Sequence, residues 1–335
     1  MLTPKNKKIG WIEISSKKYG GVAYNEEARK ILGKSFNVEL ILKEARIFRN
    51  IRYFKIPESL FLLIMMKGEK DIWIRDFYST LTLNKKKTKG KNMAMIHHID
   101  SAIFPPVFKI FFVILEKFFY RNLRKIDFII TVSEYWEKHF LEKGYKNVFK
   151  IYNGFNLSDF HITEKEMSDF RKKYGLSEKP IIYLGNCQKQ KGVVESYKEL
   201  KDLDVIFVTS GQQKVKIPAT NLDLEYKDYL KLLKASLLVI TMSKMKEGWC
   251  RTAHEAMLCK TPVIGSGLGG MRELLDGGNQ IICPDFKNLK KEVECLLGHP
   301  DAREKMGESG YNFAKNFTQE RFEKSWLDLI NKILK

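Results

Sequence analysis

The chain has 335 residues, 44% of them apolar, which suits two domains with ordinary globular cores. Five cysteines (Cys187, Cys250, Cys259, Cys283, Cys295) show no C-x-x-C spacing and no paired framework, which argues against a disulfide scaffold or a zinc ribbon and for reduced thiols in the cytosol. The net charge of +19 falls mostly on residues 1–160, where 30 Lys and Arg meet 16 Asp and Glu, so this half suits an anionic membrane surface, an anionic acceptor or nucleic acid, unless lysine merely solvates it.

Along the first half, strands and helices alternate. The N-terminal stretch has no apolar core of a signal peptide. Ile9 to Ile14 alternates into a first strand, and Lys17, Lys18, Tyr19, Gly20 and Gly21 form its loop. Gly20-Gly21 opens a helix reaching about Leu32, a βα turn that suits phosphate but lacks the G-x-G-x-x-G of a dinucleotide site. Plain turn chemistry explains the two glycines equally well. Val38 to Leu42 is a second strand, Ser59 to Met66 a buried helix and Ile72 to Ile74 a third strand. The run from Lys85 to Lys91 reads as an exposed loop. Met93 to Ile96 is a strand that delivers His97, His98 and Asp100 at its C-terminal end, where open α/β sheets bind ligands. Pro105 and Pro106 lead into an aromatic helix, Val107 to Leu123, interrupted by Lys109, Glu116 and Lys117 and so not a spanning segment. It packs in a core or lies at a membrane interface, with its aromatics in lipid and Arg121, Arg124 and Lys125 at headgroups. Phe128 to Val132 is a buried strand, Ser133 caps a helix to Lys143, and residues 151–154 form a strand and turn.

Residues 161–179 are polar and contain the interdomain link and a helix. Ile181 to Leu184 is a strand, and the loop from Gly185 to Gly192 carries Asn186, Lys189 and Lys191 before a helix from about Val193. A lysine at a loop–helix junction can pair with phosphate as a point charge, or simply be solvated. Val205 to Thr209 is a strand, Tyr226 to Lys234 a helix and Leu237 to Met242 a strand. That last strand feeds the most informative stretch, residues 247–270, EGWCRTAHEAMLCKTPVIGSGLGG. Glu247 and Glu255 lie eight apart, the second on a helix from Arg251 to Cys259 that Thr261-Pro262 stops. Val263-Ile264 is a short buried strand, and Gly265, Gly267, Gly269 and Gly270 make a loop before a helix starting near Met271. Two helix N-termini thus fall close together, and backbone N–H groups from Gly267 to Met271 suit a diphosphate. A carboxylate on the first turns of a helix suits a ribose diol, which fits Glu255. One in the preceding loop suits sugar hydroxyls, which fits Glu247 with the N–H groups of Gly248, Trp249 and Cys250 nearby. The plainer reading makes Glu255 a solvated helix residue and Glu247 a cap. Ile281 to Cys283, Leu289 to Leu297 and Gln319 to Leu334 complete the pattern, the last with Phe322, Trp326, Leu329, Ile330 and Ile333 on one face.

The E-x7-E spacing, EAMLCKTPVIG and the closing GLGG resemble the signature of glycosyltransferase family 4, retaining enzymes of the GT-B fold. The resemblance spans nearly the whole chain and is strongest over residues 181–285. It implies an α/β chain of two Rossmann-like, doubly wound domains facing across a cleft: residues 1–160 on the acceptor side, 161–318 binding a nucleotide sugar, and a helix 319–335 crossing back to the first domain. It places Gly21 near donor and acceptor and a histidine near the reacting sugar carbon. His98 aligns best, while His97 either points into the sheet or takes that role itself. Lys191 matches the lysine that grips the diphosphate. Asn186 stands where the family has an arginine, so either Lys189 compensates or the grip is weaker. Residues 211–225 are short for the family, which bears on the nucleobase pocket.

The expected activity is retaining transfer of a hexosyl group from a nucleotide sugar to a lipid-linked or polysaccharide acceptor, in cell-envelope or glycan biosynthesis. The resemblance implies no cofactor and no metal, and no protein nucleophile is evident. A cytoplasmic protein is expected, with the inner membrane face as a peripheral location. Nucleic acid is not an expected partner, because RNA-binding signatures are absent. The rivals are a pyridoxal-dependent phosphorylase or an epimerase of the same fold, a binding protein without catalysis, which Asn186 keeps open, and a basic nucleic-acid-binding protein.

Overall fold

The computed structural model describes residues 6–14, 20–48, 52–99, 106–176 and 178–335. The expected loop at residues 17–19 and Asp100, beyond the strand that carries His97 and His98, lie outside the described residues, as does Pro105. The chain divides into two compact units, Met1–Asn153 with Glu320–Lys335, and Gly154–Gln319.

In the first unit, β1 (Lys8–Glu13), α1 (Gly20–Ser35), β2 (Asn37–Leu42), α2 (Arg52–Ile64), β3 (Gly68–Arg75), α3 (Phe77–Leu81), β4 (Thr88–Met95), α4 (Pro106–Leu123), β5 (Phe128–Thr131), α5 (Glu134–Glu142) and β6 (Val148–Lys150) alternate. The strands form one parallel sheet in the order β2-β1-β3-β4-β5-β6. Right-handed crossovers put α2, α3 and α4 on one face and α1 on the other. On the α1 face, Tyr24, Ala28, Ile31 and Leu32 recur at helical spacing and are buried. Tyr24 also donates to the Ile151 carbonyl at 2.9 Å. On the opposite face Phe77 of α3 stacks on Phe112 and Phe119 of α4 at 5.6 and 4.5 Å.

The second unit runs through α6 (Glu164–Lys173), β7 (Ile181–Asn186), α7 (Val193–Leu200), β8 (Ile206–Ser210), β9 (Thr220–Leu222), α8 (Tyr226–Ala235), β10 (Leu238–Thr241), α9 (Arg251–Leu258), β11 (Val263–Gly265), α10 (Met271–Gly277), β12 (Ile281–Ile282), α11 (Phe286–Gly298) and α12 (Pro300–Ala314). Its strands are also all parallel, in the order β12-β11-β10-β7-β8-β9. Ile182, Leu184, Leu238, Ile240 and Ile264 from the strands pack with Val193, Leu200, Leu289 and Val293 from the helices. A last helix, α13 (Gln319–Leu334), returns to the first unit. Its Trp326 lies 5.7 Å from Trp11 and its Phe322 4.9 Å from Tyr24, ring centre to ring centre.

Two doubly wound parallel sheets are the architecture expected from the alternation of strands and helices. Three local expectations need correction. Residues 59–66 are not a buried helix: α2 starts at Arg52, and Phe61, Ile64 and Met65 are exposed while Ser59, Leu63 and Met66 are buried. The basic run 85–91 is not all loop, because β4 begins at Thr88. Arg75, itself buried, donates to the Thr88 hydroxyl at 2.7 Å, and the Trp73 indole donates to the Lys89 carbonyl at 2.8 Å, which anchors this polar end of the strand. Residues 151–154 are not a strand, which instead spans Val148–Lys150. Separately, α3, β9 and α12 are elements that the periodicity does not announce.

Candidate functional site

In a doubly wound sheet the ligand crevice lies beyond the carboxyl ends of the strands, where their order reverses. In the second unit the chain goes from β7 through β8 to β9 on one side, then to β10, β11 and β12 on the other. The reversal therefore lies between β7 and β10. Asn186 ends β7, and the loops leaving these two strands carry Lys189 and Lys191, and Glu247 to Cys250.

These loops are fastened to each other by main-chain bonds. Lys244 N–H donates to the Gln190 carbonyl at 2.8 Å. Gly192 closes the β7 loop at φ 71°, and a Cβ there would sit 2.1 Å from the Met242 carbonyl oxygen. The β10 loop is fastened in turn to the glycine loop after β11. Glu247 N–H donates to the Leu268 carbonyl at 3.1 Å, and Gly270 N–H donates to the Glu247 carbonyl at 2.9 Å. Gly269, at φ 69°, lies so close that a Cβ would stand 2.5 Å from the Glu247 carbonyl oxygen. The N-termini of α9 and α10 are thus brought side by side. The expectation for the glycine loop needs one correction: the N–H of Gly270 is engaged by Glu247 and is not available to an anion. The N–H groups of Gly269 and Met271 have no protein acceptor among the described residues.

Two ion pairs occupy this end of the sheet. Lys191 Nζ lies 2.6 Å from Glu247 Oε1, with the carboxylate buried and the lysine half-buried. Burial is the largest single influence and would lower the Lys191 ammonium, but the Glu247 carboxylate and Cys250 together more than offset it and hold the group above its ordinary value. Arg251 Nη2 lies 2.9 Å from Glu255 Oε1 one helical turn on, and the Tyr226 hydroxyl donates to the same oxygen at 3.3 Å. Burial likewise opposes the Arg251 charge, and Glu255 restores it. Cys250 starts α9 in the left-handed region at φ 65°, uncommon for a side chain with a Cβ. Burial, reinforced by the Glu247 carboxylate, pushes its thiol up to about 12, so it is no nucleophile at neutral pH.

The other expected residues fall as follows. Asn186 Oδ1 accepts from the Ser210 hydroxyl at 3.1 Å, and Ser210 bonds the Tyr183 hydroxyl at 2.6 Å, so the amide is held at the tip of β7. Lys189 is exposed on the single 3-10 turn that also holds Lys191. Gly248 is buried beside Glu247. Trp249 is buried too, with its indole donating to His254 Nδ1 at 2.9 Å, so its ring supports α9 from within.

In the first unit Gly21 sits in the first turn of α1. His97 and His98 follow β4. His97 Nε2 bonds Asn25 Oδ1 at 2.9 Å, Asn25 donates to Glu13 Oε1 at 3.1 Å, and Arg29 pairs with that oxygen at 2.6 Å. Burial, then the neighbouring His98, lowers His97 to about 3, so it is neutral. His98 is half-buried beside it.

The sequence reading passes over three residues. Arg251 is four positions before Glu255, a spacing that marks a helical ion pair. Tyr226 reaches Glu255 only through the tertiary fold. His254 is wholly buried, bonds the Ala314 carbonyl at 3.1 Å and stacks on Phe155 at 4.2 Å; the Arg251 guanidinium lies 4.6 Å from the same ring. Among the described residues no cluster of His, Cys, Asp and Glu could hold a metal ion.

The arrangement of two doubly wound parallel units is the GT-B fold. HepE of Anabaena, solved in complex with UDP-glucose, superposes with a TM-score of 0.76 at 15% identity, covering 97% of this chain and 100% of that one. Residues 166–313, which contain both ion pairs and the glycine loop, match the family model of glycosyl transferases group 1. An uncharacterized glycosyltransferase of Methanocaldococcus jannaschii is 28% identical over 257 residues, 71% of this chain and 68% of that protein. The alpha-galactosylglucosyldiacylglycerol synthase of Streptococcus pneumoniae is 21% identical over 282 residues, 77% of this chain and 75% of that protein.

Proposed function

We infer that the protein is a glycosyltransferase whose second unit binds a nucleotide sugar, and we propose that it transfers a hexosyl group with retention to a lipid-linked or polysaccharide acceptor. The observation that carries the reading is the pair of opposite-charge couples, Lys191–Glu247 and Arg251–Glu255, set beside a glycine loop at the switch point of the sheet. The family match over residues 166–313 supports the activity, and the M. jannaschii and S. pneumoniae relatives support it further. The UDP-glucose in HepE makes a uridine diphosphate sugar the first donor to try. The S. pneumoniae relative, by its name a glycolipid synthase, favours a lipid acceptor at a membrane face.

In this reading Glu255 holds the ribose hydroxyls, with Arg251 and Tyr226 fixing its orientation. The diphosphate lies against the free N–H groups of the glycine loop, with Lys191 as its countercharge. As the bond from the anomeric carbon to the phosphate oxygen breaks, negative charge grows on that oxygen and positive charge on the sugar ring. The N–H groups and Lys191 stabilise the first and the Glu247 carboxylate the second. The acceptor oxygen bonds the anomeric carbon, and its proton passes to the departing phosphate. No metal or cofactor enters the scheme. Asn186 contributes amide hydrogen bonds where an arginine would contribute charge, and exposed Lys189 is the cation available to make up the difference. In the first unit Gly21 and His98, at the carboxyl edge of its own sheet, are the residues that the family resemblance assigns to the acceptor and the transferred sugar.

A thermal-shift screen against UDP-, GDP- and ADP-sugars, with Glu255→Ala alongside, tests the reading. A donor at about 100 times its Kd stabilises by roughly 2.7 kcal/mol. One nucleotide class is expected to shift the parent and not the variant. A parent that responds to none of them would leave a binding protein without catalysis as the better account.

A further inference from the structure

We propose that the outer surface of α2, with the turn before it, docks on an anionic lipid bilayer. This deepens the lipid-acceptor reading above and takes its purpose from it, but the surface stands on its own observations.

The first is a turn held in place to display apolar tips. The Glu58 carboxylate, on α2, accepts the N–H groups of Arg46 at 2.8 Å and Ile47 at 2.9 Å on one oxygen, and that of Phe48 at 2.8 Å on the other. The turn so fixed leaves Ile47 82% exposed. Phe48 packs against Phe54 of α2, ring centres 5.3 Å apart, and both rings are exposed. Further along, Phe61 is 61% exposed beside Ile64 and Met65, while the opposite side of the helix buries Ser59 and Leu63. Water would favour the reverse arrangement, and a contiguous apolar surface of this kind marks an interaction site. On the same face of the sheet, beyond α3, α4 also exposes Val113, Ile114 and Phe118.

The second observation is charge. Among the described side chains of residues 43–48 and 54–67, four are basic (Lys43, Arg46, Lys55, Lys67) and two acidic (Glu44, Glu58). Both acids are already used: Glu44 pairs with Lys55 at 3.0 Å, and Glu58 holds the turn. Lys43, Arg46 and Lys67 make no ion pair among the described residues. Lys87 donates to the Ile64 carbonyl at 3.0 Å, adding a cation at the C-terminus of α2. Apolar tips rimmed by unpaired cations match the boundary between acyl chains and anionic headgroups. A second copy of the chain fits poorly, because a two-fold contact would set the same cations face to face.

The test is flotation of the full chain with vesicles of phosphatidylcholine alone or mixed with phosphatidylglycerol. The chain is expected to float with the anionic vesicles only, and less as salt is added. Arg46→Glu with Lys67→Glu is expected to lose at least about fivefold in partition for each cation removed. Ile47→Asp with Phe61→Asp, both at exposed positions, is expected to abolish flotation while the thermal melt stays that of the parent. Nucleotide-sugar shifts are measured on every protein. Flotation without any such shift would sink the glycosyltransferase reading and leave the docking surface standing; intact shifts without flotation would do the opposite. The docking proposal is also overturned if neutral vesicles bind equally, if the variants float as the parent does, or if the Ile47→Asp, Phe61→Asp variant splits a parent dimer in the absence of vesicles.

Discussion

His254 lies one residue before Glu255 on α9, wholly buried, and burial keeps its ring neutral in the folded state. Burial holds it near 3, against the opposing pull of the Ala314 carbonyl, and burial holds His97 near 3 as well. In the unfolded chain both take up a proton near pH 6.5. Between about 6.5 and 3 the unfolded state therefore binds protons that the native state refuses, so stability falls on acidification through that window. From pH 7 to pH 5 the loss is about 2 kcal/mol per histidine. Asp76 works against this: burial raises its carboxyl to about 6, so the native state gains a proton and offsets about 1 kcal/mol. Urea unfolding at the two pH values checks the sign. His254→Gln is expected to be less stable at pH 7 yet to lose about 2 kcal/mol less on going to pH 5; an unchanged loss would show that His254 is not held neutral. The residue scale is also where the sequence is least legible. The Glu247 and Glu255 spacing is visible in the chain, but what each carboxylate meets is not. Lys191 is 56 positions from Glu247, Tyr226 is 29 from Glu255, and His254 looks like any polar residue on an exposed helix until the fold buries it.

Among elements, the glycine loop between β11 and α10 is the piece whose shape everything around the ion pairs follows. Gly269→Ala places a Cβ 2.5 Å from the Glu247 carbonyl oxygen at φ 69°, so the loop must separate from the segment that carries Glu247. A cost on the order of 2 kcal/mol or more is expected, with loss of the donor-induced shift. Gly144→Ala is the control, since its φ is 86° but the space around it is open. It should cost roughly 1 kcal/mol and leave the donor response intact. Equal behaviour of the two variants would remove the close approach from the account. Most elements are legible because buried parallel strands such as β7 and β10 read as apolar runs between turn residues. Those that escape are short or polar for a stated reason. β9 has three residues, α3 five, and the start of β4 is lysine-rich because Arg75 and Trp73, not an apolar face, hold it in the sheet. The amphipathic face of α2 is misjudged from sequence because composition cannot say that the fold leaves Phe61 exposed.

At the scale of the molecule, the first unit is built from two separate segments, residues 1–153 and 320–335. The apolar stripe of α13 is legible in the sequence, while its partners, Trp11 and Tyr24, are known only from the fold. Trp326 is wholly buried there. Trp326→Ala is expected to destabilise by about 3–5 kcal/mol, read from the urea midpoint. A loss under about 1 kcal/mol would mean that the helix is a dispensable appendage.

This arrangement has a consequence during synthesis. The second unit is one continuous segment and has its whole sheet once Gln319 has been made. The first unit has its six strands by Lys150 yet lacks the helix that covers Trp11 and Tyr24 until residues 319–334 emerge. At roughly 5–20 residues per second, the ribosome leaves that aromatic face uncovered for about ten to forty seconds. A chain cut short before α13 is therefore expected to keep Trp11 and Tyr24 without their partner Trp326.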